Sequence, residues 1–220
     1  MQLPFSLGDF LNIFKEYNET VFPLQILFYL IAFLCIYVIF AKHRYSNKIV
    51  NSALAFFWLW IGIVYHLIFF TKINNAAYFF GILFIIQGIL FAIWGVLKNS
   101  LSFEYKNTST NIVGIILLIY ALIFYPVIGY QLGHVYPYSP TFGLPCPTTI
   151  FTFGILLFAN KRVPVFLLII PLIWSVIGFS AAINLTIYED TGLIVAGLVA
   201  VTLLLIHNRK HPKEVTVKIG

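Results

Sequence analysis

The chain has 220 residues, 61% of them hydrophobic and only 9% charged, with a net charge of +6 and a mean hydropathy of +0.97. A soluble domain covers its surface with roughly 25% charged residues, so this composition excludes a water-soluble globule and makes lipid the solvent. At about 20 apolar residues per membrane span, helices and short loops consume the whole chain, and the positive charge reports orientation rather than a nucleic-acid partner.

The start of the chain, Met1-Gln2-Leu3-Pro4-Phe5, carries no basic stretch, and no cleavable signal peptide is read there. After Ser6, a candidate cap, Leu7, Phe10, Leu11 and Phe14 recur at helical spacing. They predict a short amphipathic helix in an external segment, 1–21, either lying on the membrane surface or packed as an arm. Apolar runs then predict spans at 22–41, 50–70, 76–97, 112–130, 147–160, 164–184 and 191–207, followed by a basic cytoplasmic tail at 208–220. Pro23 falls in the first turn of its span, where a missing N–H is harmless. In the third span Ala77, Gly81, Gly88, Ala92 and Gly95 share one face, which lets a neighbouring helix approach closely.

Charge orders these segments. With the N-terminus outside, the inner segments hold eleven basic residues: Lys42, Arg44, Lys48, Lys98, Lys106, Lys161, Arg162, Arg209, Lys210, Lys213 and Lys218. The outer ones hold two, Lys15 and Lys72. The expected fold is therefore an all-α polytopic membrane helix bundle, a single domain over 1–220 with seven transmembrane helices, N-out and C-in. Cys35 and Cys146 fall toward opposite faces, which argues against a disulfide.

The segment from Tyr125 to Thr149 departs from this pattern. It holds five of the ten prolines, together with His134 and Cys146. The run from Pro147 to Lys161 rises only about 21 Å at 1.5 Å per residue, against a hydrocarbon core of ~30 Å. The preceding outer loop is thus expected to descend into the protein, where irregular backbone survives if buried or lining a wet cavity.

Candidate binding residues cluster on this side. Cys146 lies just ahead of a helix N-terminus, whose dipole favours a thiolate; Thr148 and Thr149 add hydroxyls on the first turn. His66 and His134 share the face of Cys146, and a Cys with two His would suit Zn²⁺ or Cu⁺. Asp190, next to Glu189, is a candidate proton or cation acceptor, and Gln87 sits mid-span where it could line a pathway. Each has a plainer reading: a small buried hydrophobe for Cys146, a helix cap for Asp190, and a bond between helices for Gln87. No catalytic residue and no firm cofactor follow. The chain lacks Walker A, His-Glu-x-x-His and Gly-x-Ser-x-Gly patterns, and its last span has no lysine for a retinal Schiff base.

The run Phe142-Gly143-Leu144-Pro145-Cys146-Pro147-Thr148-Thr149-Ile150-Phe151-Thr152, with Tyr65-His66, Gln87-Gly88, Pro171 to Trp174 and Asp190 to Gly197, resembles a family of small bacterial polytopic inner-membrane proteins defined only as a domain of unknown function. The resemblance covers the whole chain and implies a bacterial inner-membrane location. It implies no activity. From the residues, the leading expectation is a permease-like or ligand-binding protein for a small solute or soft metal ion, with an outer-face site around Cys146. A membrane thiol enzyme pairing Cys146 with a histidine, and an accessory subunit whose loop docks a partner, stay open beside it.

Overall fold

The computed structural model describes residues 4–210. Residues 211–220, with Lys213, Lys218 and most of the expected tail, lie outside the described residues. Each predicted apolar run is largely helical, although the fifth, 147–160, is helical only as far as Leu156. The helices are α1 (Leu7–Val21), α2 (Leu24–Phe40), α3 (Ser46–Lys72), α4 (Ala76–Leu97), α5 (Ser109–Gln131), α6 (Pro145–Leu156), α7 (Phe166–Leu185) and α8 (Thr191–Lys210), the last preceded by a 3-10 turn, Tyr188–Asp190. Among the described residues, five helices are long and apolar enough to cross a membrane: α3, α4, α5, α7 and α8 with its turn. The α1–α2 pair, bent by 85°, would make a sixth, and α6 is a shorter apolar helix. The protein is thus an all-helical membrane bundle with five or six helices of spanning length. The shortfall from seven lies in α6, which has only 12 residues, and in α2, whose 17 residues count only together with α1.

The cap of α1 forms as its sequence predicts. Ser6 Oγ accepts from the Asp9 N–H at 3.2 Å, and the Asp9 carboxylate accepts from the Ser6 N–H at 3.0 Å. The face bearing Phe14, Tyr17, Asn18 and Val21 is buried against the bundle, with Tyr17 edge-on to Tyr65 and Phe69. This face packs on the bundle, and the helix turns by 85° into α2.

Helices α3 and α4 meet along the predicted small-residue face. A Cβ on Gly62 would lie 2.9 Å from the Gly81 carbonyl oxygen, and one on Gly88 would lie 2.9 Å from the Leu59 backbone nitrogen. The α3, α4 and α5 helices each contain a π-helical stretch, at Ile61–Phe69, Phe91–Leu97 and Tyr120–Phe124. The one in α5 ends just before Pro126, which cannot supply the N–H that would continue the ladder.

At the centre stands α6. Eleven of its twelve residues are buried, all except Cys146. It packs on α5, α7 and α8, and on α3 through the Phe57–Phe151 rings and a Trp58 Nε1 to Thr152 Oγ1 hydrogen bond of 3.1 Å. A helix of this length rises roughly 18 Å, so irregular chain must close the bundle above and below it.

Asparagines make both closures possible. Buried backbone must be hydrogen-bonded, and an amide side chain offers a donor and an acceptor together. At the basic end, Asn111 Nδ2 donates to the Leu157 carbonyl at 2.8 Å, and Asn208 brackets Val163, accepting from its N–H at 2.8 Å and donating to its carbonyl at 2.7 Å. Asn51 and Asn47 hold Leu101 and Phe103 in the same way. At the other end Asn18 of α1 clamps the loop before α6. Its Nδ2 donates to the carbonyls of Pro137 and Ser139 at 2.7 and 2.8 Å, and its Oδ1 accepts from Thr141 Oγ1 at 2.7 Å. Pro140, Phe142, Gly143 and Leu144 are buried, so the loop does descend into the protein. Gly143 makes the final turn at φ 102°, where a Cβ would fall 2.4 Å from Phe28 Cδ2. Asn18→Ala is expected to cost about 1–2 kcal/mol. Hydrogen exchange should show the loss concentrated in the 132–144 amides, with α5 and α8 unchanged.

Candidate functional site

Two polar pairs meet at the loop end of the bundle. The Tyr188–Asp190 turn brings Glu189 and Asp190 under α5 with both carboxylates buried. Glu189 Oε1 lies 2.6 Å from His134 Nδ1, and its Oε2 has no partner among the described residues. Gly129 makes room for this pair, since a Cβ there would come within 3.1 Å of Glu189 Oε1. The Asp190 carboxylate takes a hydrogen bond from the Tyr125 hydroxyl, and the Cys146 thiol lies against it. Tyr120 fixes the turn by donating from its hydroxyl to the Glu189 carbonyl at 2.7 Å. The π-helical stretch in α5 carries Tyr120 and ends one residue before Tyr125, so a local widening of the helix sets the direction of both phenols.

A cavity of about 400 Å³ opens beside Cys146 and Asp190. Its walls are largely aromatic: Phe5, Phe10 and Phe14 from the N-terminal arm, Tyr65 and Phe70 from α3, Phe80 from α4 and Trp174 from α7. Pro140, Pro145 and Pro147 supply stiff backbone around the thiol. On the α7 side Gly178 keeps the wall low. A Cβ there would stand 3.6 Å from Cys146 Sγ and 3.8 Å from Trp174 Nε1. That indole nitrogen is buried and finds no acceptor among the described residues.

The seven residues singled out from the sequence separate into three groups. Cys146 and Asp190 come together on the cavity wall. His134 is one link away, held by Glu189 beside Asp190. His66, Gln87, Thr148 and Thr149 lie elsewhere. His66 is fully buried in the π-helical stretch of α3, ringed by Phe84 at 4.7 Å, Trp174 and Tyr65 at 5.2 Å, and Phe70 and Phe80 at 5.9 Å between centroids. Both of its ring nitrogens lack partners among the described residues. Four of those five rings also line the cavity, so His66 stands one layer behind its wall.

Gln87 has a structural task. Pro171 has no N–H to give the carbonyl four residues earlier, and Gln87 Nε2 donates to that carbonyl, Leu167 O, at 3.0 Å. Thr148 Oγ1 accepts from the Gly143 N–H at 3.1 Å and secures the turn into α6. Thr149 is buried, with no partner for its hydroxyl among the described residues.

The proposed metal set does not assemble. Among the described residues, no three His, Cys, Asp or Glu side chains form a group that could hold a metal ion. His134 is turned to Glu189 and His66 faces aromatic rings, so neither imidazole pairs with the Cys146 thiol. Glu189, paired with Asp190 in the sequence reading, completes the site together with Tyr125, Trp174 and Tyr65, which were not singled out as binding residues from the sequence. Tyr and Phe together number 36 of 220 residues, and in a membrane chain lipid contact explains such residues without a site.

Comparison with curated proteins and with solved structures gives no match. A family model described as "Family of unknown function (DUF6064)" matches residues 8–214, and the chain belongs to that family.

Proposed function

We propose that this protein binds a small, largely apolar solute in the cavity beside Cys146, entered from the outer face of a bacterial inner membrane. One observation carries this reading: a cavity of about 400 Å³ with aromatic walls reaches a half-buried thiol and a buried carboxylate. Ligand sites are typically concave, mostly apolar, roughly 300–1,000 Å³ in volume, and marked by a few convergent polar groups. The outward orientation is supported by the bias of Lys and Arg toward the opposite end of the bundle. A permease would use the same chamber as its outward-facing site, and a soft metal ion is a weaker fit than an organic solute because no ligand set surrounds the thiol among the described residues.

Cys146 reports on the chamber, because the other cysteine, Cys35, is buried in α2. In a Cys35→Ala chain reconstituted in nanodiscs, maleimide should label Cys146. Ala181→Phe, which places a ring in the cavity from α7, should slow labelling about tenfold, as expected when a pocket of this size is filled, with the thermal midpoint unchanged. Unaltered labelling in a folded Ala181→Phe protein would show that the chamber is not the route to Cys146, and the binding reading would fail.

A further inference from the structure

We propose that the solute is a lipophilic organic cation of the quaternary ammonium class, with Asp190 as its counter-charge and the rings of Phe14, Tyr65, Phe70 and Trp174 as its cage. This deepens the reading just given and rests on it.

The first argument is charge. Asp190 is 4% exposed, yet among the described residues no basic side chain pairs with it. The groups that face it are neutral or acidic: the Tyr125 hydroxyl from α5, the Cys146 thiol from α6, and the neighbouring Glu189, whose own partner is His134. Lys72, the basic residue at this end of α3, is paired with Glu16. A buried carboxyl without a counter-charge is strongly disfavoured as an anion and is neutralised either by a proton or by a cation; the adjoining cavity gives a cation the room to take the proton's place.

The second argument is the wall. An ammonium is attracted to the negative face of an aromatic ring, most strongly where water is excluded, and several rings around one methylated nitrogen form a common recognition device. The cavity offers seven aromatic residues and one carboxylate. An anionic solute would meet Asp190 with no base to balance it. A neutral solute would leave the carboxylate as it is.

The third is the Trp174 N–H, buried without a hydrogen-bond partner among the described residues and lying against the weakly accepting Cys146 sulfur, beside Gly178 in the same wall. An ester or ether oxygen next to the cationic head would be a stronger acceptor for it.

The test uses three probes of nearly one shape: phenyltrimethylammonium, its neutral isostere tert-butylbenzene, and the anion benzenesulfonate. Each is scored by the concentration that half-protects Cys146 from maleimide in the full-length Cys35→Ala chain, normalised to the rate without probe. Phenyltrimethylammonium should protect and benzenesulfonate should not. Asp190→Asn should raise the half-protecting concentration of the cation about tenfold or more, as loss of a desolvated charge contact implies. It should leave that of tert-butylbenzene within about twofold, because uncharged contact persists. Comparing each probe with itself across the substitution cancels its partition into lipid. If Asp190→Asn does not fold, the contrast between cation and anion in the parent chain decides alone. Equal protection by all three probes, or no effect of Asp190→Asn on the cation, would overturn the cation assignment while leaving a neutral-solute site intact. Absence of protection by every probe, together with unaltered labelling in Ala181→Phe, would remove the binding site itself.

Discussion

His134→Ala should destabilise the folded protein by about 3 kcal/mol, where the penalties for orphaning a buried polar group and for breaking a buried ion pair overlap. Glu189 is fully buried and its Oε2 already lacks a partner among the described residues, so the 2.6 Å contact from Oε1 to His134 Nδ1 is the one satisfaction its side chain has. Losing the imidazole leaves a whole carboxyl group unsolvated under α5. The measurement is thermal or denaturant unfolding in mild detergent, with Glu189→Gln and the double variant completing a mutant cycle. If the pair acts as a unit, the double variant will be far less damaged than the sum of the singles. Strict additivity would mean that the histidine acts through loop packing and not through Glu189. His134→Ala should also loosen the 188–190 turn, and through it the position of Asp190, so Cys146 labelling is a second readout.

The second large effect concerns the α3–α4 seam. Gly62→Ala should cost about 1–3 kcal/mol by overpacking, and Gly81→Ala distinctly less. The difference lies in what the new methyl group meets. At Gly62 it would press on backbone, with the Gly81 carbonyl oxygen and the Ile85 nitrogen each at 2.9 Å. At Gly81 the nearest atoms, at 2.6 and 2.9 Å, are the tip of the Leu67 side chain, which can rotate away. Gly88→Ala should fall between them, since Leu59 offers side chain at 2.6 Å and backbone at 2.9 Å. Melting midpoints of the three variants check the order. Equal losses would show that the helices separate as rigid rods rather than yielding at side chains.

Hydropathy made the helical bundle legible, because a run of apolar residues in a chain with so few charges has little else to be. Two local readings also held: the Ser6 cap, and the small-residue face of α4. The descent of the 132–144 loop was legible from arithmetic, since α6 was too short for its surroundings. What holds the loop in place was not. Asn18 lies more than a hundred residues away from Pro137 and Ser139, and nothing in the local sequence marks an asparagine as a clamp. Cys146 and Asp190 stood out as rare chemistry in a greasy chain, and the structure brings both to one cavity. Tyr125 and Trp174 did not, because aromatic residues are too common here to carry a signal singly. Gln87 shows the limit from the other side. The carbonyl left over by Pro171 can be foreseen in the linear sequence, but the helix that would satisfy it cannot.

The shortness of α6 has a consequence for how the protein is made. Twelve residues rise roughly 18 Å, against ~30 Å of hydrocarbon, and three of them are the buried threonines Thr148, Thr149 and Thr152. A nascent segment of that kind has no stable solitary residence in a bilayer: Thr148 takes the Gly143 N–H and Thr152 the Trp58 indole N–H, both from chain made earlier. Its entry into the membrane is therefore a collective event with α7, as a hairpin, into a socket that α3 and α5 already define. Truncations ending between 160 and 185 should leave α6 exposed to proteases on one side, and chains extended past α8 should protect it. The middle of this protein owes its place in the membrane to its neighbours.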